Sequence, residues 1–97
     1  MSFDCFINRE SFNMTSNVGP MFRHCIPLGI KAVDGLTGKQ AERILLKLFM
    51  KMHVHSQELE AMNPKNGWGD RKSAQAWVLK LWSASRANRR FKWTVCS

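Results

Sequence analysis

Glu58 and Glu60 are the carboxylates whose residue type would suit general acid and base catalysis. They stand two residues apart in a segment expected to be helical, so their side chains point in different directions and make a poor catalytic pair. The sequence Gly67-Trp68-Gly69 is too short for a phosphate-binding loop, and no Lys-Ser or Lys-Thr follows it. Because no set of catalytic partners can be assembled, the sequence predicts that this chain is not an enzyme.

Histidine and cysteine side chains offer the ligands of a transition-metal site. His53 and His55 also stand two residues apart, so they cannot hold one ion together unless a helix ends between them. His24 and Cys25 would complete a set of four ligands, but zinc sites typically have C-x-x-C or H-x-x-x-H spacing. The 3 cysteines, an odd number without C-x-x-C spacing, indicate buried, reduced thiols in a cytoplasmic protein. We therefore expect no metal and no other cofactor.

Positive charge is concentrated in the last quarter of the chain. The whole sequence has 15 Lys and Arg against 7 Asp and Glu, a formal net charge of +8. Residues 71–97 contain no acid and carry +7, whereas residues 1–70 hold all 7 acids and carry only +1. Such a segment attracts phosphate groups or acidic protein surfaces, unless it is simply the solvated face of a helix.

The candidate partner-binding residues are therefore mainly basic. Those of the C-terminal segment are Arg71, Lys72, Lys80, Arg86, Arg89, Arg90 and Lys92. A second basic stripe recurs every four residues on one helix face, at Arg43, Lys47 and Lys51. Phe91 and Trp93 alternate with the last cations and are able to stack on nucleic-acid bases, provided that they do not fill the core. Trp68, between two glycines, is either a plug in the core or an aromatic anchor for a partner.

Two strands and two main helices must position these side chains. Alternating apolar residues predict a strand at residues 2–8 and a final strand in which Phe91, Trp93 and Val95 face the core. An apolar stripe from Ala41 to Met52 predicts the first helix, with Thr37 as its N-cap. The second predicted helix has one largely apolar face, formed by Ala74, Trp77, Val78, Leu81 and Ser85. Asp70 and Ser73 are the candidate N-caps of this helix.

Residues 9–36 have a weaker pattern, which favours a polar loop followed by at most one helical turn at residues 18–25. The terminal strands then have only each other to pair with. The sequence thus predicts a single α+β domain over residues 1–97, of the order β–α–α–β, with two antiparallel strands covered on one face by two helices. Phe6 is expected on the open face of the sheet beside Lys92. No apolar run approaches the roughly 20 residues of a membrane span, so no membrane partner is expected.

Short motifs lie near the start of the chain, before the last predicted helix and at the end. They are Met14-Thr15-Ser16-Asn17-Val18 with Met21, Asn63-Pro64, Asn66-Gly67-Trp68-Gly69, and Val95-Cys96-Ser97. In this order they resemble a family of small uncharacterised proteins encoded by phages and prophages. The resemblance covers most of the chain and implies an accessory protein of a mobile genetic element. This chain is more basic than the acidic or neutral members expected of that family.

Two binding functions follow from the charge and the resemblance. Small phage proteins often occupy a surface on a host machine, which favours an anti-CRISPR-like inhibitor that occludes a nucleic-acid-handling defence complex in the host cytoplasm. The alternative is a module that binds nucleic acid directly through the same basic surface. Either function is compatible with a monomer or a homodimer.

Overall fold

Over residues 2–65, 67 and 69–96, which the computed structural model describes, three strands and four α-helices form an α+β fold. In chain order the elements are β1 (Ser2–Ile7), β2 (Glu10–Thr15), α1 (Gly19–Cys25), α2 (Gly38–Val54), α3 (Ser56–Glu60), α4 (Arg71–Ala87) and β3 (Trp93–Cys96). Short 3₁₀ turns at Ser16–Val18 and Gly29–Val33 flank α1. The predicted fold class, with strands at both ends of the chain packed against helices, is confirmed.

β1 is the central strand of an antiparallel sheet of order β2-β1-β3. In the strand register, Cys5 is paired with Phe12 of β2 and with Val95 of β3. The terminal strands do pair, but the expectation that they pair only with each other is wrong. Residues 10–15, expected to be loop because of their polar composition, form β2. Asn8, with a φ of 53°, closes the two-residue turn that brings β2 onto β1.

The core lies where the inner face of the sheet meets α2 and α4. The predicted apolar stripe of α2 is buried, and its fully covered residues include Ala41, Leu45, Leu48 and Met52. The predicted face of α4 is likewise buried. Trp93 is 1% exposed, and its Nε1 donates a hydrogen bond to Ser85 Oγ at 2.9 Å, which anchors β3 on α4.

The helix ends follow from their capping residues. Gln40 N donates to Thr37 Oγ1 at 3.2 Å, and Thr37 N donates back to Gln40 Oε1 at 3.0 Å, which is a complete capping box. α4 begins after Asp70, whose carboxylate accepts a hydrogen bond from Ser73 N at 2.7 Å. α2 ends at Val54, between His53 and His55, and His55 is the residue that separates α2 from α3. None of the helices in the described part of the chain is long and apolar enough to cross a membrane.

β3 begins at Trp93, so the prediction that Phe91 faces the core is wrong. The Phe91 side chain is 48% exposed. The reason is non-local, since the carbonyl oxygens of Phe91 and Arg89 accept hydrogen bonds from the first backbone N–H groups of α2. These bonds draw residues 89–92 across the start of α2 before the strand begins. Phe6, at 43% exposed, lies on the open face of the sheet as predicted, but its partner in β3 is Thr94, whereas Lys92 is paired with Thr37.

Candidate interaction surface

The end of α4 and the start of α2 meet at one corner of the fold. Gly38 N donates to Phe91 O at 2.8 Å, and Lys39 N donates to Arg89 O at 3.1 Å. Glycine is needed for this approach, because a Cβ on residue 38 would lie 2.5 Å from Asn88 O. We define the basic corner as the residues around this contact, which are Lys39, Glu42, Arg86, Arg89, Arg90, Phe91 and Lys92.

Glu42 is the acidic residue of the basic corner, and two arginines share it. Arg89 Nε lies 3.1 Å from one carboxylate oxygen and Arg86 Nε lies 3.6 Å from the other. The Arg86 guanidinium also lies 5.0 Å from the centre of the Trp82 ring, which is within cation–π range. Both arginine side chains stay more than half exposed, so the ion pairs are weak, but Glu42 still competes with a phosphate for the two guanidinium groups.

The other cations of the basic corner are unpaired. The side chains of Lys39, Arg90 and Lys92 are exposed and have no hydrogen-bond or ion-pair partner among residues 2–65, 67 and 69–96. Phe91 stands between two of them in sequence with an accessible ring. Five cations, one acid and one exposed aromatic ring therefore form a surface suited to phosphates and unpaired bases.

Asn88 fixes the end of α4 to the turn between β1 and β2. Its buried side chain donates to Glu10 Oε2 at 2.5 Å and to Ala84 O at 2.8 Å, and it accepts from Asn8 Nδ2 at 3.1 Å. The segment that carries the basic corner thus starts from a point held by a strand turn and a helix. Sequence reasoning missed Asn88, because an asparagine after a helix is typical of an ordinary helix end.

The Arg71 side chain makes structural contacts within the fold and is not open to a partner. Its Nε donates to Glu60 Oε1 at 2.7 Å and its Nη1 donates to Gln75 Oε1 at 2.6 Å, so it ties α4 to α3. The hydrogen bond from Arg71 holds the pKa of Glu60 below its usual value. Lys72 is exposed at the same end of α4. At the rise of an α-helix it lies about 21 Å along the axis from Arg86, outside the basic corner.

The remaining predicted residues are also dispersed. Lys80 lines a groove between α4 and β2 with Phe12 and Leu79. The predicted basic stripe on α2 does not act as one surface. Lys51 Nζ donates a hydrogen bond to Cys25 O at 3.3 Å, and Lys47 lies beside an apolar pocket. Only Arg43 continues the basic surface, one turn beyond Lys39. The prediction for Trp68 lies outside the described residues.

A second cluster of polar side chains lies away from the basic corner. His24, His55 and Glu58 have possible metal-ligand atoms that all lie within 4.8 Å of one another. This is not the set of four considered from the sequence, since His53 and Cys25 are not in the cluster. The sequence did contain part of the pattern, a His55-x-x-Glu58 spacing that places both residues on one side of a helical turn.

Comparison of this chain with protein-family models, with curated proteins and with solved structures gives no match. The geometry and the charge of the basic corner are therefore the basis for assigning a function.

Proposed function

We propose that this protein binds single-stranded nucleic acid through the basic corner. The observation that carries the proposal is the exposed ring of Phe91, which is flanked by the unpaired cations of Arg90 and Lys92. A ring in this position stacks on a base while the cations neutralise the adjoining phosphates. The sequence-based objection was that Phe91 and Trp93 fill the core. It holds for Trp93, which is buried, but it does not apply to Phe91, which is 48% exposed.

The same features favour single strands over duplexes. In a duplex the bases already stack on one another, so Phe91 adds nothing and only the charges contribute. On a single strand, each stacked base adds about 1–3 kcal/mol. Three unpaired cations that contact phosphates give a slope of about −2 for the logarithm of the association constant against the logarithm of the salt concentration.

The test is a fluorescence-polarisation titration with a labelled oligothymidylate of about 12 nucleotides, within the site size of small single-strand binders. Phe91→Ala is expected to weaken this binding by about 5- to 150-fold, and to leave weak duplex binding nearly unchanged. Replacing both Arg90 and Lys92 by Gln should reduce the salt slope by about 1.4. Lys72→Ala is the matched control, because it removes an exposed cation at the other end of α4.

Glu42→Gln tests the role of the paired arginines. Removing the carboxylate releases Arg86 and Arg89 for phosphates, so this variant should bind the oligonucleotide more tightly and with a steeper salt dependence. Absence of binding by the wild-type protein at low salt would refute the proposal. If the loss per removed charge is the same for Lys72→Ala as for the Arg90 and Lys92 variant, net charge alone is responsible and the proposal is wrong.

Occlusion of a host defence complex is the second candidate function. Beside Glu42 the same face of α2 continues with Leu46 and Met50, which are 45% and 56% exposed. Apolar side chains next to a charged rim suit a protein partner with an acidic surface. The assay is phage survival under CRISPR targeting. Protection that is lost in Met50→Glu but retained in Phe91→Ala would favour this function over nucleic-acid binding.

A further inference from the structure

Three elements meet at the cluster of His24, His55 and Glu58. His24 lies in the last turn of α1, His55 is the residue between α2 and α3, and Glu58 lies in the first turn of α3. His24 Nε2 is 2.7 Å from Glu58 Oε2, and His55 Nδ1 is 3.4 Å from Glu58 Oε1. The two imidazole rings are perpendicular, with their centres 5.8 Å apart.

The distances within this cluster are close to those that a small metal ion requires. Zinc binds imidazole nitrogen and carboxylate oxygen at about 2.1 Å, so a tetrahedral ion separates its ligand atoms by about 3.4 Å. The His55–Glu58 distance already has this value, and the His24–Glu58 distance must open by less than about 1 Å. The largest separation among the three ligand atoms is at most 4.8 Å, which a rotation of one exposed imidazole reduces.

We propose that His24, His55 and Glu58 bind a divalent transition-metal ion and that this ion cross-links α1 to α3. Zinc is the ion that best matches these ligands. Two imidazoles and one carboxylate supply three ligands, and solvent supplies the rest because all three side chains are partly exposed. The site is separate from the basic corner and does not depend on nucleic-acid binding.

The charges around the cluster are consistent with a cation site. Glu58 supplies a carboxylate, which is an anionic ligand, and it already lies within hydrogen-bond distance of both imidazoles. Lys51 is an opposing charge, since its Nζ donates to the carbonyl oxygen of Cys25, next to His24. This lysine reduces the affinity for a cation without closing the site.

The test is calorimetric titration of the full chain with Zn²⁺, together with a thermal melt. Cys96, an exposed thiol, is replaced by Ser in every variant so that it cannot bind zinc. At a zinc concentration about ten times the dissociation constant, Tm should rise by about 6 °C or more. Glu58→Gln and His24→Gln should each weaken binding by at least about tenfold.

His53→Ala is the matched control, because it removes an exposed histidine two residues from the cluster and should leave the affinity unchanged. In NMR spectra, zinc should shift the ring protons of His24 and His55 but not those of His53. If excess zinc gives neither heat nor a rise in Tm, the proposal is wrong. It is equally wrong if binding persists in both Glu58→Gln and His24→Gln, provided that circular dichroism shows both variants to be folded.

Discussion

Gly38 is the position where one added methyl group should do the most damage. A Cβ there would lie 2.5 Å from Asn88 O and would also overlap Ser85 O. Both atoms belong to the backbone at the end of α4, so no side chain is able to rotate out of the way. Gly38→Ala must therefore push α4 away from the start of α2, which separates the two halves of the basic corner.

The expected loss of stability comes from three terms. Overpacking a close contact costs about 1–3 kcal/mol. The hydrogen bonds from Gly38 N and Lys39 N to the segment after α4 contribute about 1 kcal/mol each and would be stretched or broken. Alanine in place of glycine in a helix returns up to about 1 kcal/mol. The net loss is about 2–4 kcal/mol, which lowers Tm by at least about 8 °C in a chain of this size.

The assay is a thermal melt followed by circular dichroism, with Gly35→Ala as the control. Gly35 has a φ of +79° but no atom within 4 Å of an added Cβ, so alanine there meets backbone strain and no collision. We expect Gly38→Ala to lose clearly more than this control and, where it stays folded, to bind oligonucleotide more weakly. A Gly38→Ala protein that melts with the wild type, or above Gly35→Ala, would refute the packing argument.

Two further predictions concern thiol reactivity and a helix cap. At pH 8 Cys96 should be alkylated rapidly, and Cys5 and Cys25 slowly, because burial raises the pKa of Cys25 and raises that of Cys5 to about 12. Peptide mass spectrometry measures the three rates. Equal rates at the three sites would contradict the structure. Asp70→Ala should cost about 1 kcal/mol of the free energy of unfolding, and Asp70→Asn less. Because the hydrogen bond from Ser73 N lowers the pKa of Asp70, its contribution is present above the unfolded pKa and lost as the pH falls through the folded value. Urea unfolding at pH 7 and below pH 4 should show a larger loss of stability in the wild type than in Asp70→Asn, because the other carboxylates titrate in both proteins and only the difference reports on Asp70.

The helices could be predicted because their determinants are local. The stripe of α2 repeats with the helical period, and Thr37 and Asp70 cap α2 and α4 through backbone groups three residues away. The strand β2 could not be predicted in the same way. Its outward residues are polar, and it becomes a strand because the turn at Asn8 places it beside β1.

The candidate sites depended even more on contacts between distant residues. The sequence located the charge in residues 71–97, but it could not show that Arg71 belongs to an ion pair or that Lys39 joins the C-terminal cations. Phe91 continues the alternation of a strand, and only the hydrogen bonds to α2 remove it from that strand. His24 and Glu58 are 34 residues apart, so neither spacing nor periodicity connects them.

The contact that builds the basic corner also determines how it is able to bind an anion. The first N–H groups of a helix normally attract phosphate, and a cation there is unfavourable. In α2 these donors are already used by the carbonyl oxygens of Phe91 and Arg89 and by the Thr37 hydroxyl. The carbonyl oxygens bring partial negative charge to the helix start, which makes the position of Lys39 tolerable. A phosphate at the basic corner must therefore be held by side chains, and this is why the affinity should follow the number of free cations and change with Glu42.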